Sequence, residues 1–237
     1  MKKCIVDPEF WELFPEGQIH LLVAKELDNQ AVPEKEEYFS KLLKDAALAA
    51  QAFLPNENFS QNDVIAQWRQ AFTKFKTKKG ARSSIESLLK RASQHKEFTP
   101  INPLVDIYNS ISLTYGVPCG GEDLAAINGD LHLGKAKGGE SFRPLGAEKD
   151  APVLPEEIIY YDETGAICRC LNWREAQRTM LTENTKTAVL VVEAVNKQQA
   201  ERGDQAIKAL KAQIDQYFQI ESTIIQLTKD HPITELQ

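Results

Sequence analysis

The sequence predicts an α+β protein with helices layered on a mixed or largely antiparallel sheet. Two observations carry that expectation. Helical periodicity dominates the segment from Pro33 to Tyr115, whereas the segment from Leu131 to Val195 breaks into short alternating or continuous apolar runs punctuated by Gly129, Gly134, Gly138, Gly139, Gly146 and Gly165. Helices followed by a run of strands favour segregated layers over a βαβ alternation.

Taken in order, Gln18 to Ala24 (QIHLLVA) reads as a buried strand after Gly17. Pro33 opens a helix that runs through Tyr38, Leu42, Leu43 and Ala47 to about Phe53. Ser60 is placed to cap the next helix, whose stripe is Val64, Ile65, Trp68, Phe72 and Phe75, with Gly80 at its end. Ser83 and Glu86 have capping-box spacing and start a third helix through Leu88 and Leu89. Pro103 then opens an amphipathic helix bearing Leu104, Ile107, Tyr108, Ile111 and Tyr115 on one side. A turn rich in glycine, proline and cysteine follows, with Gly116, Pro118, Cys119, Gly120 and Gly121, and acids come directly after it. Strands are expected over 131–136, 141–145, 157–162, 166–172 and 187–195, and a last amphipathic helix over about 198–220. Three parts result: an N-terminal strand and helical part (1–82), a central domain (83–195) and a C-terminal helix on the same core (196–237).

The chain has 237 residues, of which 42% are hydrophobic and 26% charged, enough for one sizeable core. No apolar run reaches membrane-spanning length, and the first residues lack the apolar core of an export signal because Asp7, Glu9 and Glu12 interrupt it. A cytoplasmic protein without a membrane partner is expected. Four cysteines, Cys4, Cys119, Cys168 and Cys170, do not have zinc-site spacing and read as reduced buried thiols. Cys168 and Cys170, one residue apart in an expected strand, should face the same side of a sheet. No metal and no cofactor are expected. The net charge of −6 disfavours indiscriminate nucleic-acid binding, and no DNA partner is expected. The local exception is Lys74, Lys76, Lys78, Lys79 and Arg82, either a solvated helix end or a phosphate-contacting patch in which Lys76, Lys79 and Arg82 would touch RNA.

The stretch INPLVDIYNSISLTYGVPCGGEDL resembles the tRNA-editing B3/B4 domain of the phenylalanyl-tRNA synthetase beta subunit, through Asn102, Val105, Asp106, Asn109, Gly116, Pro118 and Asp123. A second block, CRCLNWREAQRTMLTENT, is similar to the later part of that domain in its stand-alone form, around Asn172, Trp173, Arg174, Arg178, Thr179 and Thr185. The resemblance spans about Ser83 to Ala194. It implies the mixed architecture of that domain, and hydrolysis of a wrongly attached amino acid from the 3′ end of tRNA. An aminoacyl ester is already activated, so an oriented water and a polarised carbonyl suffice. A chain of this length has no room for the rest of the synthetase, so it is not a complete ligase and would act in trans.

Candidate residues follow. Asn109, Arg174 and Glu175 are the candidate catalytic groups. Asn102, Asp106, Gly116, Cys119, Gly120, Asn172, Arg178 and Thr179 are the candidate substrate contacts. An asparagine amide can hold a ribose hydroxyl or a carbonyl without adding charge. Asn102 also suits a helix N-cap before Pro103, and Asp106 a structural ion pair. Arg174 and Arg178 share a face if their segment is helical, where they would grip a phosphodiester or carboxylate, or else join an internal Arg/Glu network. Trp173 fits either the core or a stacking platform. The synthetase pattern Gly-Gln-Pro-x-His reads Gly-Val-Pro-Cys-Gly here, with Gly120 in place of histidine, and the Gly-Gly-Glu of the later region has no counterpart around Glu175 and Gln177. Tyrosine specificity therefore does not carry over. The alternatives to a deacylase are a non-catalytic module binding tRNA, an amino acid or a protein, and a different hydrolase on the same scaffold.

Overall fold

In the computed structural model, which describes residues 2–236, two β-sheets face one another and helices cover the outer side of one of them. Ten strands are present: β1 (Lys3–Val6), β2 (Gln18–Ala24), β3 (Cys119–Asp123), β4 (Leu131–Lys135), β5 (Ile158–Tyr161), β6 (Ala166–Arg169), β7 (Arg174–Glu175), β8 (Ala188–Ala194), β9 (Thr223–Leu227) and β10 (Ile233–Glu235). The α-helices are α1 (Pro8–Leu13), α2 (Glu36–Ala49), α3 (Asp63–Phe72), α4 (Ser84–Ser93), α5 (Pro103–Tyr115) and α6 (Lys197–Phe218). The protein is α+β. Among the described residues no helix is long and apolar enough to cross a membrane.

The six-stranded sheet runs β10-β1-β4-β5-β6-β7 and the four-stranded sheet β3-β8-β2-β9. Among the described residues only β1 and β4 pair in parallel, and every other pairing is antiparallel. β8 (AVLVVEA) is buried along its whole length because both of its faces are covered, which is why it reads as a continuous apolar run. Leu190 and Val192 pack toward α5 and α6 with Leu104, Ile111, Leu210 and Ile214. Val189 and Val191 point the other way, into a core shared with Leu131, Leu133, Tyr160 and Cys168 of the opposite sheet. Trp68 of α3 and Leu89 of α4 belong to that same core.

Local chemistry explains the ends of the helix that leads into the site. Asn102 caps α5 by accepting from Val105 N at 3.1 Å, Pro103 occupies the first turn, and Gly116 closes the helix at φ 62. A Cβ at Gly116 would meet the Phe53 ring at 2.9 Å, so glycine serves both the backbone and the packing there. Buried Asn29 fastens this end by accepting from Leu104 N at 2.9 Å and donating to Asn102 Oδ1 and Thr182 O.

Several local expectations change. The Gly/Pro/Cys turn is shorter than expected, because Cys119–Asp123 is strand β3 paired with β8. Residues 141–145 form no strand; Pro144 makes an isolated bridge with Ala176, and Phe142 anchors a small separate core. The strand expected over 166–172 stops at Arg169, because Cys170 (φ 48) and Leu171 (φ 63) turn the chain. The alternation that put Cys168 and Cys170 on one side therefore does not continue through Cys170. Arg174 and Arg178 are not on a helix: β7 is followed by a turn. α3 ends at Phe72, leaving Phe75 and Gly80 beyond it, and Ser60 lies ahead of its first turn. Ser83 precedes α4 but makes no capping bond, and Glu86 turns instead to Arg69. Strands β1, β9 and β10 and helix α1 were not expected.

Candidate functional site: a carboxylate-lined cleft between the sheets

Register places the site. Across the six-stranded sheet, Leu133 stands opposite Tyr160, Tyr160 opposite Cys168, and Cys168 opposite Glu175. Residues directly paired share a face, so this row looks into the space between the sheets. From the other sheet, Gly120 lies opposite Val191 and Glu122 opposite Val189, with Glu193 two residues further along β8. Where these rows meet, the space is unfilled: a cleft of about 350 Å³ opens, lined by Glu122, Glu175, Glu193, Tyr160, Asn172 and Arg174 among others. Gly120 keeps it open, since a Cβ there would come within 3.3 Å of Glu175 Oε1.

Of the three carboxylates, Glu193 is held by neutral side chains. Tyr160 Oη donates to Glu193 Oε1 at 2.8 Å, and Asn172 Nδ2 donates to Glu193 Oε2. Asn172 Oδ1 in turn accepts from Ser84 N at 3.2 Å, which ties the first turn of α4 to the cleft. Among the described residues, none of the three carboxylates forms an ion pair with Lys or Arg. Burial dominates their titration. It raises Glu193 to about 7, against the opposing effect of its bonds from Tyr160 and Asn172. It raises Glu175 to about 7 as well, against a backbone bond from Gly121. Glu122 is pushed well above the carboxylate range by burial and by the neighbouring Glu175, although Thr179 and Arg178 favour its ionised form. A carboxyl poised near neutrality can give and take protons under ordinary conditions. Burial also raises the Cys119 and Cys168 thiols, so neither is a thiolate nucleophile. Among the described residues no group of three or more His, Cys, Asp or Glu is arranged to hold a metal ion.

Of the residues singled out from the sequence, Cys119, Gly120, Asn172, Arg174 and Glu175 line this cleft. Arg174 is exposed at its edge, 5.3 Å from the Trp173 ring, and Trp173 lines the cleft too. Thr179 is fully buried behind Glu122. Others are elsewhere. Asn109 is half-buried on α5 and is not among the lining residues. Asn102 is the α5 cap, Gly116 closes the same helix, and Asp106 accepts from Ile101 N at 2.9 Å. Arg178 grips Asp162 through both terminal nitrogens and also donates to Gly165 O. Lys76, Lys79 and Arg82 are exposed on the segment that ends at Ser84, itself a cleft residue. Glu122, Tyr160 and Glu193 went unnoticed in the sequence. The signal for Glu193 was present, as the one charged residue in an otherwise apolar strand.

The model of the B3/4 domain matches residues 67–220. The chain belongs to the B3/4 domain family. The match runs from within α3 to just past the end of α6. Among solved structures, this B3/4 chain is similar to an N-terminal fragment of the phenylalanyl-tRNA synthetase beta subunit from Pyrococcus horikoshii, at 12% identity and a TM-score of 0.47. That alignment covers 93% of this chain and 49% of the other, so the chain spans about half the length of the fragment. Comparison with curated proteins gives no match.

Proposed function

We propose that this B3/4 protein is an aminoacyl-tRNA deacylase acting in trans in the cytoplasm, with the aminoacyl ester bound between the two sheets. The observation that carries the reading is the set of three cleft carboxylates without an ion-pair partner. An aminoacyl ester brings its own cation, the α-ammonium group, into such a site. Glu193, held by Tyr160 and Asn172, is assigned to that ammonium. Glu175 is assigned the role of general base. Its carboxylate takes a proton from water as the water oxygen adds to the ester carbonyl; the bond to the ribose oxygen then breaks, and the proton passes to that oxygen. Arg174, exposed at the edge of the cleft, is assigned to the negative charge that develops on the carbonyl oxygen. The products are a free amino acid and uncharged tRNA.

The test is release of amino acid from a panel of correctly and incorrectly charged tRNAs. Wild-type protein is expected to release at least one, with the rate reduced about 10²-fold or more in Glu175→Gln. Asn109→Ala, which does not line the cleft, is the control and should retain the rate. If no member of the panel is hydrolysed, the deacylase reading fails. Calorimetric binding of free amino acids or their amides would then favour a non-catalytic module, which the same unpaired carboxylates would also suit.

A further inference from the structure

The first turn of α4 separates two cavities. Ser84 lines the carboxylate cleft, and the preceding Ser83 lines a second pocket of about 350 Å³, together with Trp68, Arg69, Thr73, Arg82 and Glu86. The helix is ten residues long; Ser83 makes no capping bond to it, and among the described residues the Ser84 amide alone in its first turn is taken by a side chain, Asn172 Oδ1. Among the described residues Ser83 Oγ and Trp68 Nε1 have no hydrogen-bond partner, although the two residues are only 1% and 0% exposed. Buried donors without partners are rare in native proteins and ask for an acceptor. One acceptor with several oxygens and negative charge would answer both of them and the positive end of the helix dipole as well.

The surrounding charges agree with that acceptor. Glu86 is already occupied by Arg69, which binds it through Nε and Nη2, so the carboxylate does not leave the pocket acidic. Arg82 is exposed at the wall, and Lys74, Lys76, Lys78 and Lys79 lie exposed on the chain leading to it. A run of cations extending away from a pocket suits a polyanion better than a small carboxylate.

We infer that this pocket is a phosphate subsite for the RNA strand whose 3′ end enters the neighbouring cleft. The inference rests on the RNA-directed reading above, but not on hydrolysis.

It is tested on ¹⁵N-labelled full-length protein by following the three tryptophan indole resonances, with that of Trp68 assigned from Trp68→Phe. The probes are the trinucleotide CCA, in which tRNA ends, then adenosine, which lacks phosphate, and inorganic phosphate. The CCA trinucleotide should shift the Trp68 indole at concentrations where adenosine does not. Arg82→Ala and Ser83→Ala should each weaken CCA binding about tenfold, and Arg82→Ala should lower the salt slope by about one. A Trp68 indole unmoved by CCA, or variants that bind it as tightly as the wild type, would overturn the subsite. So would an equal response to inorganic phosphate, which would make the pocket a free-anion site. Deacylation is scored separately: a Trp68 shift without ester hydrolysis keeps the subsite and removes the hydrolase, and hydrolysis without the shift does the reverse.

Discussion

Two groups of buried or half-buried carboxylates lie on the same six-stranded sheet or against it, and they are built in opposite ways. Glu157 is fully buried and grasped by the Arg169 guanidinium, whose Nη1 also donates to Ala151 O at 2.8 Å. Asp162 is matched in the same manner by Arg178, which helps hold its carboxyl below the usual range. Among the described residues Glu193 and Glu175 have only hydroxyl, amide and backbone partners and Glu122 Oε2 has none, and burial drives all three the other way. A paired carboxylate fixes the sheet. An unpaired one opposes folding when ionised.

The contrast can be broken most forcefully at Arg169. Arg169→Met strands the Glu157 charge and should destabilise the fold by about 3–5 kcal/mol, read from urea unfolding. An equal loss in Glu193→Gln would erase the distinction. Next in size, Glu175→Gln and Glu193→Gln should lower deacylation about 10²-fold while their urea midpoints at pH 8 stay at or above that of the wild type.

Titration sharpens the same comparison. Glu175 and Glu193 bind protons more tightly folded than unfolded, so stability due to them is present at low pH and is lost as pH rises from about 4.5 toward 7. Asp162 has the opposite sign, and its contribution disappears as pH falls through the acid range. Between pH 5 and 8 the stability of Glu193→Gln should therefore fall less than that of the wild type, whereas wild-type deacylation should rise through pH 7 as Glu175 ionises. A rate independent of pH across this range would remove Glu175 as the base. The smallest effect is expected for Gly120→Ala, whose methyl would press on Glu175 Oε1; deacylation should drop about tenfold with little change in the unfolding midpoint.

What was legible followed from periodicity and end chemistry. The strand over 18–24 coincides with β2, and Asn102, Pro103 and Gly116 bound α5 by the same local rules that mark it in the sequence. Strand β3 was hidden because Cys-Gly-Gly has the composition of a turn, and only pairing with β8 holds it extended. β1, β9 and β10 are short or polar and gain their identity from neighbours distant in sequence. Within the site, Arg174 and Glu175 could be picked out beside a block of polar residues. Their partners could not, because Glu193, Tyr160 and Glu122 reach the cleft from three separate strands. Arg178 was misplaced for a related reason: local spacing could not reveal Asp162, which reaches it across a turn.

The pairing of β2 with β8 also governs how the molecule forms. Ile19 lies opposite Glu193, so β2 is completed by a strand far from it in sequence. Such non-local closure makes folding slow, because the entropy of a long loop is lost before the contacts that compensate it appear. During synthesis β2 must wait, its apolar edge exposed, until the chain has been made as far as Ala194. The cleft is thus among the last features to assemble. A chain interrupted before β8 would lack Glu193 and leave β2 and β3 as open edges prone to pair with other chains.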